Sequence, residues 1–239
     1  MRAGIAASDS SVGPRMLTIS IAFAVLVAIY ILLAIVLIPQ NETRHFHFVD
    51  ERGAITVLSA MFLAIGCGFG FASFLLSLGS PRSVRCFWLL VSTALGLLVL
   101  DELLQFHERI GFRLDGIDPF DLASSGIIRG WNDVVVILYG VIAVPVGVLL
   151  LPTMIRYRSF LILICIAFVS YVLHTTIDSL VEPPTILSVI LEESAKLYCS
   201  LCVALACLAG LLVHTANVKL ASNPQIGAYP SNARGATGL

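Results

Sequence analysis

The stretch from Met16 to Pro39, MLTISIAFAVLVAIYILLAIVLIP, contains no charged residue, and its reading decides the fold. A helix rises ~1.5 Å per residue, so a run of this length crosses a hydrocarbon core of ~30 Å. Five further apolar stretches of comparable length follow, at 54–79, 86–106, 131–153, 159–181 and 186–215. Across its 239 residues the chain is 58% hydrophobic and only 12% charged, with a mean hydropathy of +0.97, a balance foreign to soluble domains. The sequence therefore predicts an all-α fold, a polytopic membrane bundle of six transmembrane helices. One domain is expected over 16–217, between a mobile N-terminal segment at 1–15 and a flexible C-terminal tail at 218–239. The first span is longer than a signal-peptide core and no small-residue cleavage site follows it, so it is expected to be retained.

Charge sets the expected orientation. The short connections at 80–85 and 154–158 carry Arg82, Arg85, Arg156 and Arg158 without any acid, whereas the loops at 40–53 and 107–130 mix both signs. By the positive-inside rule both termini of this multi-pass protein are expected to face the cytoplasm. A net charge of −1 and the lack of a polybasic run give no reason to expect nucleic acid. The partners expected are the lipid bilayer and, in one reading, another membrane protein. Cys67, Cys86, Cys165, Cys199, Cys202 and Cys207 all fall in the spans, where they read as small packing residues, and no structural disulfide is expected. Gly66, Gly68 and Gly70 read as sites of close helix approach.

Against this background the ionisable residues inside the spans stand out, because a charge at membrane depth costs ~2.5 kcal/mol or more and is usually kept for function. They are Asp101, Glu102, His107 and Glu108 on the third span, Asp133 on the fourth, His174 and Asp178 on the fifth, and Glu192, Glu193 and Lys196 on the sixth. Alternation of the spans brings all four sets to one depth. On a continuous third helix Asp101, Gln105 and Glu108 form one stripe, with His107 on the opposite flank at or near the water boundary. His174 and Asp178 lie one turn apart, a spacing that lets both bind one metal or lets the carboxylate orient the imidazole. Glu192 and Lys196, also one turn apart, are expected to neutralise each other and leave Glu193 to find another partner. Six acids, Asp101, Glu102, Asp133, Asp178, Glu192 and Glu193, face Lys196 as the only base in the spans. Protons, a divalent cation or water must compensate such an excess. The metal set expected is Asp101, Glu102, Gln105, His174 and Asp178, with zinc favoured among divalent ions because no ExxH pair of the di-iron type is present. In loop 109–130, Asp118-Pro119 is suited to start a short helix over this cluster.

The run Asp101-Glu102-x4-His107-Glu108, then Trp131, then Glu192-Glu193-x-x-Lys196, resembles a broad set of uncharacterised bacterial multi-pass inner-membrane proteins with DE-x4-HE and EExx[EK] motifs, over roughly residues 86–215. Lys196 stands where those proteins are expected to carry an acid. Glu192-Glu193-x-x-Lys196 and His174-x3-Asp178 are also similar to the EExxK and HxxxD motifs of intramembrane proteases of the PrsW and CAAX-endopeptidase kind, here in reversed order and without an intervening FxxxE. That resemblance implies Glu193, or Glu192, as activator of water, with His174 and Asp178 assisting. Three functions stay open: a metal-dependent hydrolase acting on a lipid or peptide, with Glu193, His174 and Asp178 catalytic; a non-catalytic accessory subunit of a membrane complex; and a proton or cation pathway.

Overall fold

In the computed structural model, which describes residues 2–37, 53–117, 130–180 and 185–222, the chain forms seven described helices and no described strand. They are α1 (Arg2–Leu37), α2 (Ala54–Leu76), α3 (Arg82–Leu104), α4 (Phe106–Asp115), α5 (Trp131–Met154), α6 (Arg158–Leu180) and α7 (Ile186–Ser222). All except α4 are long and apolar enough to cross a membrane. α1 begins at Arg2, upstream of the first expected span, and α7 continues to Ser222. The 41–52 loop, the Asp118-Pro119 helix start and most of the C-terminal tail lie outside the described residues.

Local chemistry sets several boundaries. α2 ends at Leu76 because the Ser77 hydroxyl donates to the Phe74 carbonyl (2.8 Å), and Pro81 starts α3 four residues later. A turn this short makes α2 and α3 antiparallel neighbours. α7 opens with a reciprocal cap: the Ser188 N–H donates to Thr185 Oγ1 (3.1 Å), and the Thr185 N–H donates to Ser188 Oγ (2.9 Å).

α7 is the axis of the bundle. It packs against α6, α2 and α1, and 61% of its apolar window is buried, against none of the α5 window. Gly66 in α2 lets that helix approach Ala204 of α7, and a Cβ added at Gly70 would lie 3.4 Å from Ser92 of α3, while one at Gly68 would meet open space. Ser92 and Cys67 tie the same α2–α3 contact, the Ser92 hydroxyl donating to the Cys67 carbonyl (3.1 Å).

The end of the bundle away from the DE-x4-HE motif is closed by aromatic rings. Trp88, fully buried, meets Phe160 and Tyr157 edge-on at 5.4 Å between centroids. The Tyr157 hydroxyl pairs with His214 Nε2 at 3.1 Å. Burial pushes the Tyr157 phenol above its usual range, so it remains protonated through neutral pH.

Candidate functional site

The third span does not continue through residue 106 as one helix. At Gln105 the backbone enters the left-handed region (φ 56°, ψ 44°), ending α3 and starting α4. The Asp101–Gln105–Glu108 stripe assumed an unbroken helix, so its phase fails at this residue. The break turns the chain back on itself. Asp101 Oδ1 accepts the backbone N–H of His107 (2.9 Å), and Asp101 Oδ2 faces His107 Nδ1 (3.0 Å). The first contact caps the otherwise unsatisfied N-terminus of α4 from six residues upstream. The second fixes the ring. The Tyr139 hydroxyl of α5 lies close to the same carboxylate. His107, assigned by helical phase to the wrong flank, is thus the residue most firmly joined to Asp101.

The next carboxylate takes a different partner. Glu102 Oε1 lies 3.0 Å from Lys196 Nζ, an ion pair that joins α3 to α7 with both side chains largely buried. The sequence pairs Lys196 with Glu192 inside one helix; the structure also carries Lys196 across the bundle to Glu102. His174 of α6 is partly buried beside the Glu192 backbone, within electrostatic reach of both Lys196 and His107. Its charge state is thereby coupled to both the Asp101–His107 pair and the Glu102–Lys196 pair. Glu193 and Asp133 are buried, at 4% and 2% exposure, and Asp178 is partly buried.

Three more contacts shape this end of the bundle, and none is visible in the sequence motifs. Asp115, at the end of α4, accepts the Trp131 N–H at the start of α5 (3.0 Å), repeating the capping device of Asp101. Gly111 sits against Asn132 so closely that an added Cβ would lie 2.6 Å from Asn132 Cα. On α6, the Tyr171 hydroxyl donates to the Val136 carbonyl and accepts the Gly140 N–H (3.2 Å). Those two α5 groups would bond each other in a regular helix, so Tyr171 is inserted into the α5 ladder. A Cβ at Gly140 would meet its ring at 2.8 Å.

Among the described residues, no three His, Cys, Asp or Glu side chains gather as a metal-holding group. Of the expected set, Asp101 is engaged by His107, Glu102 by Lys196, and Gln105 forms the helix break. Asp101 and Glu102 are thus turned toward partners within the protein. What the arrangement offers is acid–base chemistry. A carboxylate on Nδ1 fixes the proton there and makes Nε2 the basic nitrogen.

The fold and this cluster define a polytopic helical membrane protein with a polar centre at one end of its bundle. The chain belongs to the family described as Domain of unknown function (DUF8692), whose model matches residues 18–211. No curated protein and no solved structure matches it.

Proposed function

We propose that this chain is a membrane-embedded hydrolase in which His107, oriented by Asp101, is the general base for an ester or amide bond of a lipid or peptide reaching it from the bilayer. The observation that carries the reading is the double grip of one carboxylate on one histidine, at the backbone N–H and at Nδ1. The backbone contact places the ring, and the Nδ1 contact sets its tautomer and stabilises the imidazolium that forms when Nε2 takes a proton from water. Lys196 is the nearby cation able to stabilise developing negative charge, held in place by Glu102. His174, beside Lys196 and His107, is the second proton-transfer group. Glu193 and Asp178, the protease-like candidates, are assigned the supporting role of setting the charge of this centre. The arginine-only connections on the side of the termini favour cytoplasmic termini, and the motif resemblance favours a bacterial inner membrane.

A second reading is favoured by the Glu102–Lys196 pair itself. A charge pair that crosses a bundle specifies which helices pack together, the property an accessory subunit needs. One experiment separates the two. Full-length protein in nanodiscs made from total membrane lipid, supplied with a membrane peptide pool, is incubated and its products are followed by mass spectrometry. Hydrolysis products formed by wild type and lost in His107→Ala support the enzyme. Identical product profiles for wild type and variant overturn it.

A further inference from the structure

α4 is too short to cross a membrane, yet it exposes large apolar side chains. Phe112 is 81% exposed, and Phe106, Ile110 and Ile117 are also exposed on this segment, alongside Arg109 and Arg113. A helix of this composition at the end of a span belongs in the headgroup region, with its apolar groups in the acyl boundary. Beside it lies an open cleft of ≈ 510 Å³ lined by Glu108, Arg109, Phe112, Arg113, Asp115 and Asn132.

The charges of that cleft are of both signs. Arg109 and Arg113 are one turn apart and exposed, and among the described residues neither guanidinium is held in an ion pair. Two guanidinium groups at this spacing suit the oxygens of one phosphate, which they grip bidentately. Glu108 and Asp115 lie on the opposite flank of the cleft-facing arc, where they suit a cation. We infer that this cleft binds a glycerophospholipid with a phosphoethanolamine headgroup: phosphate on Arg109 and Arg113, ammonium toward Glu108 and Asp115, and acyl chains along Phe112. This deepens the hydrolase reading by naming a lipid as its substrate class, and it rests on that reading only for what is done to the lipid after binding.

The test reads binding without catalysis. Full-length protein released from detergent micelles in native mass spectrometry is titrated with dioleoyl-phosphatidylethanolamine, and separately with the choline and glycerol analogues. Wild type is expected to retain the ethanolamine lipid best, since a trimethylammonium group cannot donate hydrogen bonds. Arg109→Gln/Arg113→Gln is expected to lose about tenfold or more in retention, the scale of charge-assisted contacts to phosphate. Glu108→Gln is expected to erase the preference over the glycerol lipid, and Arg82→Gln, at the other end of α3, to change nothing. Should the double variant fail to fold, Arg109→Lys/Arg113→Lys keeps the charge and weakens the bidentate grip, giving a smaller loss in the same direction. Equal retention by wild type and the folded arginine variants overturns the site, and so does displacement of the lipid by millimolar inorganic phosphate, which would mark a simple anion site. Lipid retained by wild type but never hydrolysed keeps the binding site and dismisses the chemistry.

Discussion

Asp101 serves two ends with one carboxylate. As a cap it satisfies a backbone donor of α4; as a ring partner it orients His107. These roles separate by substitution. Asp101→Asn retains an oxygen for the His107 N–H but loses the charge that stabilises the imidazolium. Hydrolysis is expected to fall by about 10²–10⁴-fold, the usual weight of general base catalysis. Because the amide oxygen keeps the cap, stability in micelles is expected to change by less than ~1 kcal/mol. A variant with wild-type turnover removes Asp101 from the mechanism. This pairing was hidden from helical phase, because Asp101 and His107 stand ~240° apart on an unbroken helix.

The helix break at Gln105 is what brings those residues together. Nothing local announces it: Gln is neither the Gly nor the Asn that usually occupies a left-handed position, and no proline follows. A side chain with a Cβ is strained there. Gln105→Gly is therefore expected to stabilise the protein by about 0.5–1 kcal/mol if the break is native, read as a raised melting temperature. A lowered melting temperature, as for glycine placed inside a helix, argues that α3 and α4 are continuous. The six spans were legible because length and hydropathy depend only on composition, which tertiary contacts do not alter. The site was only half legible. Residues 101, 102, 107, 174 and 196 were all visible as costly charges, but their partners are set by a local backbone reversal and by cross-bundle contacts that no periodicity encodes. The Thr185–Ser188 cap had a readable signal, a hydroxyl three residues from a hydroxyl before an apolar run.

At the scale of the molecule, one ion pair couples the motif-bearing helix to the axis of the bundle. Lys196→Met leaves Glu102 buried without its cation, and is expected to cost about 3 kcal/mol or more. Glu102→Gln/Lys196→Met is expected to recover most of that loss, because the pair costs nearly as much to desolvate as it returns. Unfolding of the single and double variants in micelles measures both. Non-recovery means that Lys196 contributes through a partner other than Glu102. Because Asp101 and Glu102 are engaged by His107 and Lys196, hydrolysis is expected to survive exhaustive chelation. Activity lost on chelation and restored by zinc would return the chemistry to a metal.

The central claim is that Asp101 holds the proton of His107 on Nδ1 and makes Nε2 the base. Nitrogen-15 NMR of histidine-labelled full-length protein in lipid, near pH 8, reads this directly, with His107 assigned by its loss in His107→Ala. A protonated Nδ1 and an unprotonated Nε2 are expected, inverted or averaged in Asp101→Asn. A bare Nδ1 with the proton on Nε2 in the wild type would contradict it.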